Sequence, residues 1–167
     1  IGVLLDDLVT IGTQEPYRMF TSRAEYRLLL RADNADQRLT EIGAVAGCVS
    51  AGRLTTYRRK AKALARAREM LETLSASPDS LHLHGLNISR DGVRRHALDL
   101  LAYPNITFAC LREIWPALTE IPAAIAEQLE IEAGYAGYIH RQDADIRAYR
   151  RDEALQLPSD LAYGDIP

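Results

Sequence analysis

The chain has 167 residues, 47% hydrophobic and 26% charged, with 10 Gly and 7 Pro, which excludes collagen-like, low-complexity and strongly disordered classes and suits one hydrophobic core. No apolar run approaches the roughly 20 residues needed to cross a bilayer, and the first residues lack a basic-then-apolar leader, so the expected location is the cytoplasm. The net charge of −3 hides an asymmetry: residues 1–74 hold 12 Arg+Lys against 9 Asp+Glu, and residues 75–167 hold 8 against 14. Between Tyr17 and Arg68 the balance reaches +8. A local patch of that size can bind an acidic partner despite an acidic total.

The chain opens on Ile1 rather than Met, and residues 2–8 read as interior, so a piece of a longer protein is expected. Ser22 and Glu25 form an S-x-x-E capping box, which predicts a helix from Ser22 to about Arg31. The polar break Asp33-Asn34-Ala35-Asp36 starts a second helix, ending at Gly43 or Gly47. Ser50 caps a third, from about Ala51 to Leu74, whose apolar stripe runs through Leu54, Tyr57, Ala61, Leu64 and Leu71 and leaves an Arg-Arg-Lys side in water. Residues 75–80 read as a linker between the basic and acidic halves.

Beyond that linker, alternation from Leu81 to Ile88 predicts a small hairpin, and Ser89 a helix from about Asp91 to Ala102. Thr107 opens a short helix to Trp115, stopped by Pro116. Pro122 suits a first helical turn, so a long helix should run to about Leu155 with a buried stripe at Ile125, Leu129, Ala133, Ala136, Ile139, Ile146 and Tyr149. Gly134 and Gly137 each cost about 1 kcal/mol against Ala, which points to a close backbone approach or a bend. The expected fold is mainly α, a multi-helix domain of about six helices with one long C-terminal helix.

Chemistry is sparse. Cys48 and Cys110 show no metal or redox spacing and read as buried thiols. His82 and His84 lack companion ligands, His96 and His140 are isolated, and Asp6 and Asp7 point to different faces. No phosphate-binding glycine loop occurs. The densest constellation is basic. Arg23, Arg27 and Arg31 at helical spacing form one stripe, interleaved with Tyr17, Phe20 and Tyr26, which suits phosphates and unpaired bases. The alternative is an aromatic core with arginines paired to Glu15, Glu25 and Asp33. Of the 20 basic residues 18 are Arg, a skew that codon bias explains as well as phosphate recognition does.

The run Glu15-Pro16-Tyr17-Arg18-Met19-Phe20-Thr21-Ser22-Arg23-Ala24-Glu25-Tyr26-Arg27-Leu28-Leu29-Leu30-Arg31, with Asp33-Asn34-Ala35-Asp36 and Arg38-Leu39-Thr40-Glu41-Ile42-Gly43, closely resembles a signature of the MnmG/GidA family. Glu127-Gln128-Leu129-Glu130-Ile131-Glu132 and Tyr135-Ala136-Gly137-Tyr138-Ile139-His140-Arg141-Gln142 match it too. That family is the flavin-dependent subunit that modifies carbon 5 of the tRNA wobble uridine. The resemblance implies that residues 1–20 are the tail of the FAD-binding domain and that residues 21–167 are a helical C-terminal domain, incomplete at its end. Gly134 stands where a family lysine is expected.

For the whole protein the resemblance implies FAD, NADH, tRNA and a GTPase partner of the MnmE type, with a homodimer in a heterotetramer with that GTPase. The family's glycine loop and catalytic cysteines match nothing here, so this stretch is expected to be non-catalytic, with no cofactor or metal residues. The expected tRNA contacts are Arg18, Arg23, Arg27, Arg31 and Arg38. The expected partner contacts are Glu130, Glu132, Tyr135 and Tyr138. The competing expectation is a helical scaffold or interaction module that does not touch tRNA.

Overall fold

The computed structural model describes residues 2–16, 18 and 27–155. In chain order these form α1 (Gly2–Thr10), α2 (Ala35–Val45), α3 (Ala51–Thr73), β1 (Ser75–Ala76), α4 (Pro78–Leu83), β2 (Arg95–His96), α5 (Ala97–Leu100), α6 (Phe108–Ile114), a 3-10 turn (Pro116–Glu120) and α7 (Ala123–Glu153). The mainly helical expectation holds, with seven α-helices among the described residues. The strongest sequence signals gave the right elements. Ser50 accepts the Arg53 N–H at 3.4 Å to start α3, and Thr107 accepts the Cys110 N–H at 3.5 Å to start α6. Pro116 ends α6 and Pro122 precedes α7. Helix α2 closes on Gly47, whose φ of 76° only glycine adopts freely, and the Cys48 N–H reaches the Gly43 carbonyl at 2.8 Å in a Schellman turn.

Three expectations fail where short elements depend on distant partners. Residues 75–80 are not a linker: Ser75 and Ala76 pair antiparallel with His96 and Arg95, and Ser77 caps α4 with Pro78 in its first turn. The hairpin expected at 81–88 is instead α4 and an extended stretch, with Leu81 fully buried and Leu83 exposed. The helix expected from Asp91 starts only at Ala97, because residues 95–96 are taken by the strand pair, and Asp99 then reaches back to the His96 N–H. Cys48, expected to be buried, is exposed just past the α2 turn, and Cys110 is half-buried.

The core lies between α3, α5, α6 and α7. Leu71, Leu81, Leu100, Leu111, Leu118 and Leu129 are its largest fully buried side chains, and truncating any one to Ala would cost about 2–5 kcal/mol. Helix α7 contributes Ile125, Leu129 and Ala133, then emerges from the core, so Tyr149 at the end of the expected stripe is exposed. Helix α2 differs. Its Leu39, Ile42 and Val45 face outward and only Thr40 is buried, so apolar packing does not seat it.

Polar contacts seat it instead. On α7, Glu132 accepts from Arg68 Nη2 of α3 at 2.5 Å and from Gln37 Nε2 of α2 at 2.6 Å. Lys60 meets Asp36 at 2.7 Å, Arg58 forks onto Glu41, and the Tyr57 hydroxyl donates to the Gln37 carbonyl. Just before α2, Arg31 forks onto Asp33 with two bonds of 2.9 Å and lies over the Tyr135 ring, 4.2 Å from its centroid. Gln128 of α7 then donates to both Asp33 and Glu132. The hydrogen bonds from Arg31 hold the Asp33 carboxyl below its ordinary range, and the same bonds raise Arg31.

Two outcomes are expected. Because Asp33 is lowered in the fold, its stabilisation is complete above its unfolded value of about 3.9 and is lost as pH falls through the lower folded value. Asp33→Asn should therefore reduce stability at neutral pH and flatten the acid-side loss in thermal unfolding; an unchanged acid limb would count against the coupling. Gly134 and Gly137 were expected to mark a close approach or a bend; neither marks a close approach, since both are exposed and a Cβ at either would meet nothing within 4 Å. Replacing each with Ala should add about 1 kcal/mol, raising Tm by about 2–4 °C per substitution in a domain of this size.

Candidate nucleic-acid interface

The capping box at Ser22 and Glu25, together with Tyr17, Phe20, Arg23 and Tyr26, lies outside the described residues. The helix expected to continue from it through Arg31 is absent at its far end, where Arg27 to Leu30 form a turn. Side chains account for this. The Arg31 guanidinium donates to the Leu28 carbonyl at 2.9 Å and the Asn34 amide donates to the Leu29 carbonyl at 3.0 Å, occupying acceptors that a continuing helix would use. Asn34 also accepts from Arg38 Nε at 2.9 Å, tying the turn to α2.

The expected tRNA residues therefore separate. Arg18 and Arg27 are exposed. The Arg31 side chain is only 10% exposed, and its donors go to Asp33 and Leu28. Arg38 is half-buried, bonded to Asn34 and to the Arg31 carbonyl but to no acid among the described residues. The expected partner residues separate in the same way. Glu130 accepts the Phe108 N–H at the start of α6, Glu132 holds Arg68 and Gln37, and Tyr135 lies under Arg31. Only Tyr138, 60% exposed, stands clear of the fold.

Ion pairing sharpens the charge map. Asp33, Asp36 and Glu41 each hold a cation, whereas Arg27, Arg53, Arg59, Lys62 and Arg66 meet no acid among the described residues. On α3, Arg59, Lys62 and Arg66 sit within about 60° of one another at 100° per residue, opposite Leu64, Ala67 and Leu71. They form an exposed basic ridge.

A second basic feature escaped the sequence because its parts are a hundred residues apart. The turn at Leu29 and Leu30, with Arg38, faces the outer half of α7 across an open groove of about 860 Å3. From α7 it is lined by His140, Asp143, Ile146, Arg147 and Arg150. Counting charge by halves concealed Arg147 and Arg150 within the acidic half.

Metal and membrane readings gain no support. No group of three or more His, Cys, Asp or Glu side chains that could hold a metal ion occurs among the described residues, and the His82 ring bonds the Ile88 carbonyl at 2.8 Å. No helix among them is long and apolar enough to cross a membrane.

Residues 51–143, from the start of α3 into α7, match the family described as the tRNA modifying enzyme MnmG/GidA C-terminal helical domain. The fold is also similar to Aquifex aeolicus GidA in two crystal forms. Form II has a TM-score of 0.69 and 29% identity, covering 99% of this chain and 26% of that one. Form I has a TM-score of 0.67 and 28% identity, covering 99% and 25%. The chain thus spans about a quarter of the length of these structures. With more than half of its residues matched by the family model, including the core-forming stretches of α3 and α7, the chain belongs to the MnmG/GidA C-terminal helical domain family.

Proposed function

We propose that this chain is the tRNA-holding helical region of an enzyme that modifies the wobble uridine of tRNA, with residues 1–20 belonging to the tail of a flavin-binding domain. The observation that carries this is the surplus of exposed cations: every described acid between Arg27 and Arg68 is paired, and Arg27, Arg53, Arg59, Lys62 and Arg66 are left to meet something else. Arginine forks match phosphate oxygens in pairs, and phosphate contacts dominate affinity for nucleic acid. Arg18 and Arg23 are proposed to contact tRNA as well.

A scaffold role is favoured for one subset by its contacts. Arg31, Glu130, Glu132 and Tyr135 bind the protein itself, so their substitution should act through stability. A GTPase partner of the MnmE type is proposed to meet the exposed part of α7 around Tyr138. FAD and NADH, the cofactors of the whole protein in this reading, require a pyrophosphate-binding glycine loop that these 167 residues do not contain, so their binding and the chemistry fall to other parts of the protein.

The reading is tested by titrating tRNA onto the chain over a range of salt. Binding should weaken steeply with salt, and Arg27→Ala should lower affinity and reduce the salt slope by about 1 without shifting Tm. Arg31→Ala should lower Tm, because it removes the two-bond fork on Asp33 and the cation over the Tyr135 ring. Salt-independent binding, or an Arg27→Ala slope equal to that of the unaltered chain, would refute the reading.

A further inference from the structure

The groove between the turn at Leu29 and the outer half of α7 has a composition that a duplex does not need. Its charged wall carries Arg38, Arg147 and Arg150, with His140 beside them and Asp143 as the one acid among the described lining residues. The other described lining residues, Leu29, Leu30 and Ile146, are apolar, and Leu30 is 57% exposed. Arg150 makes no side-chain ion pair among the described residues, and Arg147 uses only its Nε, on the Asp143 carbonyl at 3.1 Å. Among the described residues, the terminal nitrogens of both guanidinium groups are therefore open to an anion. The volume of about 860 Å3 lies within the range of pockets that hold small organic ligands.

We propose that this groove is a binding site for an unpaired stretch of RNA, with phosphates on Arg147 and Arg150 and the face of a base on Leu29, Leu30 and Ile146. The proposal rests on the reading of the chain as a tRNA-holding region and adds a place and a strand type to it. A phosphate ridge from a duplex would press its charged oxygens onto leucines, which costs desolvation without return. An unpaired nucleotide presents both an anion and an apolar ring face, and proteins that hold single strands combine cations with flat or apolar surfaces in this way. Arg38, supplied by α2 on the other side of the groove, closes the cationic wall. The opposing charge, Asp143, sets the sign of one test.

The experiment uses the full chain and two probes, a short unstructured oligouridylate and a blunt RNA duplex of equal length, followed by fluorescence anisotropy across a salt series. Single-strand contacts each contribute about 0.7 to the salt slope, so the Arg147→Ala/Arg150→Ala variant should lose about 1.4 in slope and about tenfold in affinity near 0.15 M salt. Asp143→Asn should tighten binding. Leu30→Ala should weaken the oligouridylate at unchanged slope and leave the duplex alone. Each variant sits at the surface or half-buried, and an unchanged thermal melt confirms its fold.

The inference is overturned if the double variant binds the oligouridylate with its slope intact, or if the duplex loses as much as the single strand. Loss in an Arg59→Ala/Lys62→Ala variant instead would move the site to the α3 ridge, sinking the groove while the tRNA reading stands. Failure of the unaltered chain to bind either tRNA or oligouridylate would remove both.

Discussion

The carboxylate of Glu132 joins three helices that the hydrophobic core alone would not assemble. It projects from α7, accepts from Arg68 of α3 and Gln37 of α2, and shares Gln128 with Asp33. Helices α3 and α7 also meet through Leu64, Leu71, Leu129 and other core side chains. Helix α2 buries only Thr40, so its position depends on Glu132, the Asp36–Lys60 pair and the Glu41–Arg58 fork. Surface ion pairs are individually weak, about 0–1 kcal/mol, but here the central carboxylate is four-fifths buried and each of its oxygens has a donor. Removing it would leave Arg68 and Gln37 without their shared acceptor and release α2 from α7.

This arrangement divides the arginines of the basic segment into two kinds. Arg31 is chemically indistinguishable from Arg27 in the sequence, yet the Asp33 fork and the Tyr135 ring draw it into the joint while Arg27 remains outside. A guanidinium stacked on a ring and bonded to a carboxylate has its charge neutralised locally. It positions the turn that bears Leu29 and Leu30 instead of presenting charge to solvent. Glu130 illustrates the same division on the acidic side: it looks like a solvated helix charge by type, but it caps α6 from a neighbouring helix.

How much was legible in the sequence depends on the length scale of each signal. Helices α3 and α7 carry many turns of apolar period, and Ser50, Pro116 and Pro122 punctuate them locally, so their existence and limits were readable within a few residues. The stretch from Ser75 to Leu100 was not, because its strand pair joins residues twenty apart and takes the positions where a helix had been expected. Ser77 and Pro78 form a cap and a first-turn proline in the fold, although the Ser- and Pro-rich composition of 75–80 reads as a linker. The turn at Leu28 was unreadable for a different reason: the Arg31 and Asn34 side chains compete for its carbonyls, and that competition depends on Asp33 and Tyr135 being in place. Among site residues, type and spacing located the basic segment, whereas Arg147 and Arg150 needed the fold to bring them beside Arg38.

The clamp and the groove are consecutive parts of one helix. Gln128, Glu132 and Tyr135 engage the turn and α2, and His140 to Arg150 line the groove immediately beyond, a further stretch of about 15 Å at 1.5 Å per residue. One wall of the groove is therefore α7 itself, rooted in the core through Leu129 and Ala133. The other wall is the turn at Leu29 and Leu30 with Arg38, rooted chiefly through polar contacts. A change that loosens Arg31 from Asp33, such as acidification below the carboxylate range, acts on the second wall and leaves the first in place. The spacing of the groove is thus set by electrostatics, while the helix bearing most of its cations is set by apolar burial. Substitutions in the clamp should consequently disturb ligand binding even though none of the clamp residues needs to touch the ligand.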